Sequence, residues 1–361
     1  MQQEMTGRER LTCMFEGKTP DRIASTFLMN EYYTNHNPGH GSPDDLMKEL
    51  GADILDREYR LPYKKVYTGG VEYKDYYQDG KTYHIFETPV GTITEMYKGK
   101  WGSELPFKLE CYVKELEDYK ILQYVFEHTE FVEDYEWFEE RDKVIGDNGI
   151  LVPLVTEFRS SLEYLMEDNQ IRTTYDLFNE EDIIGELLEV VKAKNIEACK
   201  VAAKSPAQIL NIWEDSSTTI LSPNLFEAYV LPEIKEFTDI LKQEGKKLIH
   251  HACGHIKHLL PLMKREEVAA FESITPYHTG NINMTDCFQE WGDKYIVIGG
   301  IDPVFLVGCT VEELEKYLIN TIESFGDYKK KFIISNSDSL PPGVSIEKLI
   351  KVIEVAKRFR F

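Results

Sequence analysis

The 361-residue sequence predicts an α/β fold, a (β/α)8 TIM barrel with a β-rich insertion, and treats residues 1–361 as a single domain. Three observations carry this. Eight short apolar, β-branched runs alternate with helical stretches. Nearly every run ends in a polar, ionisable residue, as expected where strand ends build one shared pocket. No Gly-x-Gly-x-x-Gly follows the first run, so the doubly wound, dinucleotide-binding alternative lacks its signal.

The runs fall at 23–28, 52–55, 150–155, 208–213, 247–251, 268–273, 295–298 and 332–335. Amphipathic patterns such as 222–244 and 311–324 supply helices between the later ones. The second and third runs lie much further apart than one crossover helix requires. Between them Thr68-Gly69-Gly70, Asp79-Gly80 and Pro89-Val90-Gly91 separate alternating aromatic and β-branched residues, which is hairpin patterning. Residues 60–105 are therefore read as the β-rich insertion, and 116–142 as helices that return the chain to the barrel.

Charge and composition narrow the function. Hydrophobic content of 42% suits a chain that buries a large core. With 63 acidic against 41 basic residues, the net charge of −22 disfavours nucleic acid, anionic membranes and polyanionic substrates. No apolar stretch is long enough to span a bilayer and MQQEMTGRER has no apolar core, so a cytoplasmic protein without membrane partners is expected. The six cysteines are scattered without a C-x-x-C, so no disulfide framework is expected.

His251-Ala252-Cys253-Gly254 is the most informative stretch. Residues two apart on a strand face the same side, so His251 and Cys253 converge where the fifth run ends, and Gly254 lets the chain turn away. One imidazole and one thiolate make half of a zinc site. For a bare H-x-C, a buried cysteine beside a hydrogen-bonded histidine would be the better explanation, and context decides here. The same alternation turns His250 away from the site, while His255 and His258 are read as exposed or capping residues. The other strand ends offer Asn30 and Glu31, Asp56 and Arg57, Glu157 and Arg159, Glu214 and Asp215, Glu272, Asp302, and Asn336 and Asp338. Asp302, in Gly-Gly-Ile-Asp-Pro, reads as a turn residue.

Taken together, the motifs resemble the uroporphyrinogen decarboxylase superfamily. Met5-Thr6-Gly7-Arg8-Glu9-Arg10 with Pro20-Asp21-Arg22 is similar to its start. Leu248 to Gly254, Gly299-Gly300-Ile301-Asp302-Pro303 and Ile333 to Asp338 are similar to its later landmarks. The resemblance implies a (β/α)8 barrel and one of two activities, tetrapyrrole decarboxylation or corrinoid-dependent methyl transfer. Its decarboxylases carry an arginine-rich R-Q-A-G-R after the first strand, where this chain has Met29-Asn30-Glu31-Tyr32-Tyr33. Without those arginines, a site for many carboxylates in so acidic a protein is electrostatically wrong.

The methyltransferase branch implies a zinc held by H-x-C and a third cysteine near the last strand. This chain keeps His251 and Cys253 but has Asp338 at the third place. Asp338 ligates instead, or the metal is bound differently, or there is none; Glu272 is a further candidate ligand in the absence of substrate. A carboxylate in place of a thiolate would harden the zinc and suit it to an oxygen. The reading is a zinc-dependent methyltransferase that moves a methyl group from a small O-methyl donor, an aryl methyl ether for preference, to a separate corrinoid protein. Glu157 or Asp215 would protonate or orient the leaving oxygen. Tyr32, Tyr33, Phe158, Trp213 and Tyr277 are candidates to line an aryl pocket. The rival readings are a methylcorrinoid:thiol methyltransferase and a non-enzymatic binding protein.

Overall fold

The structure is a computed structural model, and it describes residues 4–57, 60–99, 106–157 and 159–361. The eight runs appear as strands β1 (Ala24–Ser25), β2 (Ile54–Asp56), β3 (Gly149–Leu151), β4 (Ile209–Trp213), β5 (Lys247–His251), β6 (Ala270–Ile274), β7 (Ile296–Ile301) and β8 (Phe332–Asn336). Six of them form one parallel sheet in the order β1-β8-β7-β6-β5-β4, and β2 pairs with β3 in parallel. Backbone bonds join these two pieces at both ends. The segment after β3 meets β4 through Asn211 N to Pro153 O (2.9 Å) and Val155 N to Asn211 O (2.8 Å), and Asp53 N donates to Ser25 O (2.8 Å). The eight strands thus follow one another round a closed ring.

The ring interior is apolar because inward positions alternate along each strand. Ala24, Leu55, Val152, Ile209, Ile249, Ala270, Ile298 and Ile333 pack there as one buried cluster. A larger core lies between the strands' outer faces and the helices, among them Glu181–Ala202, Leu231–Gln243, Val311–Ser324 and Ile346–Arg358. Below the strands, Asp53 receives both Arg10 and Arg22, and Asp21 is 2.6 Å from Arg10 Nε. The opening motif and Pro-Asp-Arg therefore build a buried ionic floor, at the end of the barrel where residues serve stability.

The insertion is larger than residues 60–105. A four-stranded antiparallel sheet runs Glu72–Gln78, Lys81–Thr88, Gly91–Lys98 and Phe107–Glu110, with 100–105 outside the described residues. Asp79 and Gly80 make its first two-residue turn with positive φ at both positions (50° and 77°), as such a hairpin requires. The expectation of helices over 116–142 holds except for one strand between them. Helices Leu116–Glu127 and Glu136–Ile145 flank a strand, Thr129–Glu133, which pairs antiparallel with Tyr63–Tyr67. Five residues are too few to show a strand period against two helical neighbours, and pairing with a segment sixty residues away decided the outcome. No helix among the described residues is long and apolar enough to cross a membrane.

Candidate metal centre

Register builds the site. Trp213 on β4 stands opposite His251 on β5, and His251 opposite Glu272 on β6. Neighbours in such a row point to the same side, so the three side chains meet inside the barrel at the strands' C-terminal ends. The Trp213 ring stacks on His251 with centroids 5.4 Å apart and planes at 21°. Two residues further along each chain, Asp215 and Cys253 face one another, and the Cys253 thiol donates to Asp215 Oδ1 at 3.3 Å. Gly254 then turns the chain at φ 90°; a Cβ there would lie 2.8 Å from Ser217 Oγ. The sequence motif needs glycine at this position.

Among the described residues, the ligand atoms that converge closely enough to share an ion are those of Asp215, His251 and Cys253, all within 4.8 Å of one another. Neither Glu272 nor Asp338 belongs to that group. Glu272 Oε2 accepts from His251 Nδ1 at 2.7 Å and its other oxygen accepts from Arg57. Burial would raise the Glu272 pKa, but Arg57 and His251 hold the carboxyl down at about 2. An acceptor of that kind fixes the imidazole with Nδ1 protonated and turns Nε2 toward Asp215, 3.7 Å away. Asp338 carries charge toward both His251 and Cys253, while burial raises its own pKa.

The donor set fits a zinc ion: one imidazole nitrogen, one thiol sulfur and one carboxylate oxygen. Burial first, then Asp215 and Asp338, push the Cys253 thiol far up. Burial opposes charge on His251, yet Glu272 and Asp215 outweigh it and raise its pKa. Protons are held where a cation would relieve the same carboxylates, and a divalent ion reverses that balance.

Other expected residues are placed elsewhere. Glu157 pairs with Lys65 at 2.5 Å, outside the metal group. Asp215, expected as an acid, converges with His251 and Cys253 and also meets Arg159 Nη1 at 2.8 Å. Glu214 is taken up by Ser160, whose N and Oγ donate to it at 2.6 and 2.7 Å. Asp302 caps the helix Pro303–Gly308, accepting from Phe305 N, as its turn reading expects. His250 faces outward to Glu266 at 2.6 Å, and His258 is exposed in a turn. Of the aromatic candidates Trp213 reaches the site. Tyr33 is buried with its hydroxyl on Val344 O, Tyr32 packs on His36, Tyr277 is half exposed and Phe158 lies outside the described residues.

The sequence did not reveal what adjoins the site. Arg159 also donates to Glu167 Oε2 (2.5 Å) and Trp213 O (3.2 Å), and it lines a cavity of about 360 Å³ between the insertion and the helix Ser161–Asn179. Glu157 lies on the same wall.

The uroporphyrinogen decarboxylase (URO-D) family model matches residues 160–359, more than half of the chain and the whole of the His251–Cys253 region. The chain belongs to the uroporphyrinogen decarboxylase family. Its relatives span both activities. Uroporphyrinogen decarboxylase 2 of Oryza sativa is 27% identical over 186 residues, 51% of this chain and 45% of that protein. The methylcobamide:CoM methyltransferase MtbA of Methanosarcina mazei is 25% identical over 198 residues, 52% of each chain. The matches thus span about half the length of these relatives. The fold is similar along nearly its whole length to that of a methyltransferase from Methanosarcina mazei, with a TM-score of 0.65 over 98% of this family member and 99% of that chain at 13% identity.

Proposed function

We propose that this protein is a cytoplasmic, zinc-dependent methyltransferase that carries a methyl group from an O-methyl donor, an aryl methyl ether for preference, to the corrinoid of a separate protein. The observation that carries the reading is the Asp215–His251–Cys253 group at the barrel mouth, with a carboxylate where a second thiolate would make a softer site. Asp215 takes the place expected for Asp338, and Glu272 supports His251 from behind. When bound, zinc would supply Lewis acidity toward the departing oxygen.

The chain's own residues do the remaining work. Glu272 locks the His251 ring, and Arg57 neutralises Glu272 so that its buried charge is compensated. Arg159 ties Asp215 to Glu167 and holds its carboxylate in one orientation. Trp213 covers one face of the His251 ring and excludes water from it. Glu157, with Lys65, orients the donor at the cavity wall.

MtbA, as a methylcobamide:CoM methyltransferase, favours a second reading, in which this protein transfers the methyl group from a methylcorrinoid to a thiol. One assay separates the two. The conversion of cob(I)alamin to methylcobalamin is followed with methoxylated aromatics, and thiols are offered to methylcobalamin in the reverse direction. Turnover with an O-methyl donor is expected; turnover with thiols alone would assign the protein to the second reading.

A further inference from the structure

The cavity beside Arg159 is walled by rings from three separate parts of the chain: Tyr67, Tyr73, Phe86 and Tyr97 from the insertion, Tyr112 from the segment after it, and Tyr164 from the helix Ser161–Asn179. Several touch one another. Tyr73 and Phe86 have centroids 4.9 Å apart, Tyr67 and Phe86 5.5 Å, and Phe86 and Tyr112 5.5 Å. At about 360 Å³ the space is of a size that takes a small ligand. Its charges are paired within the wall: Lys65 with Glu157 (2.5 Å), Lys108 with Glu95 (2.6 Å) and Arg159 with Glu167 (2.5 Å). Asp168 accepts from Tyr112 N and Val113 N at 2.8 and 2.9 Å. A wall of π faces with its ions already matched selects a flat ring over a strongly charged ligand, and the ion pairs can still hydrogen-bond a ring hydroxyl.

We infer that this cavity holds the aromatic ring of the methyl donor, so that the insertion sets donor specificity while the barrel supplies the metal centre. The inference rests on the methyltransferase reading. Arg159 is the link, since it lines the cavity and contacts Asp215 at 2.8 Å. A ring seated on the tyrosines is thus one guanidinium from the ligand group.

The test is calorimetric titration of the full chain, zinc-loaded and without corrinoid protein, with 2-methoxyphenol and with methoxycyclohexane. The aromatic probe is expected to bind at one site at least tenfold more tightly than its saturated counterpart. Tyr73→Leu and Phe86→Leu should each weaken it about tenfold with zinc content unchanged. Tyr73 is 41% exposed, so its replacement keeps the test valid if the buried Phe86 variant fails to fold. Equal affinity for the two probes, or unchanged affinity in Tyr73→Leu, would overturn the inference. Binding requires no methyl transfer, so the two proposals fail separately. Ring binding without transfer to cob(I)alamin would leave the pocket and remove the reaction, whereas transfer at full rate in both variants would leave the reaction and remove the pocket.

Discussion

His251 shows how much one side chain owes to its row. Its Nδ1 is held by Glu272, its face is covered by Trp213 and its Nε2 is left for the ligand group. The H-x-C spacing alone gave the shared side of His251 and Cys253, because strand alternation is local. Asp215 was legible as a strand-end acid but not as a neighbour of Cys253 and His251. Its place opposite Cys253 depends on the pairing of Trp213 with His251, which a single sequence does not print. Asp338 drew attention by its position in a motif, and Glu272 by lying one strand over. Substitution separates their roles. Cys253→Ser and Asp215→Asn should each abolish stoichiometric zinc without unfolding the barrel. Asp338→Asn should leave zinc content intact, and Glu272→Gln should weaken zinc binding by about 10–100-fold through loss of the held imidazole. Elemental analysis and competition with a chromogenic chelator read all four. Full occupancy in Asp215→Asn with loss in Asp338→Asn would return Asp338 to the ligand set.

At the scale of elements, the strands from β4 onward were read to within three residues at either end, since buried parallel strands give continuous apolar runs. The insertion was legible by its hairpin turns, but its extent was not. The strand Thr129–Glu133 is fixed by a partner far away in sequence, and the cavity arises only where sheet and helix meet. Asp168 is a clamp between them, its carboxylate on the helix side accepting two backbone N–H groups of Tyr112 and Val113. Burial pushes its pKa up to about 6, against the opposing effect of those N–H donors and Lys108. The folded chain therefore binds this proton more tightly than the unfolded chain. The stability this provides is full below about pH 4 and is lost as pH rises through 6. Between pH 4 and pH 7 the wild type should lose on the order of 2 kcal/mol relative to Asp168→Asn. Urea unfolding of both proteins at the two pH values measures this, and a wild type that gains on the variant as pH rises would refute it.

On the scale of the whole molecule, closure of the ring brings residues from β2, β4, β5 and β6 to one mouth, and polar strand ends announced that concentration. The backbone bonds that close it could not be read from the chain, nor could the ionic floor be told from a functional motif: the opening Arg10 and Arg22 converge on Asp53 at the opposite end. Arg159 lines the cavity and contacts Asp215, so under the proposal metal chemistry and donor binding are two parts of one site. Zinc dependence of methyl transfer tests this account most directly. Metal-free protein is reconstituted with increasing zinc, and methylcobalamin formation from cob(I)alamin and 2-methoxyphenol is recorded at each occupancy. The rate should rise linearly to one zinc per chain and stay at background in Cys253→Ser at every zinc concentration. A rate that is indifferent to zinc, or a Cys253→Ser variant that transfers methyl groups as fast as the wild type, would contradict it.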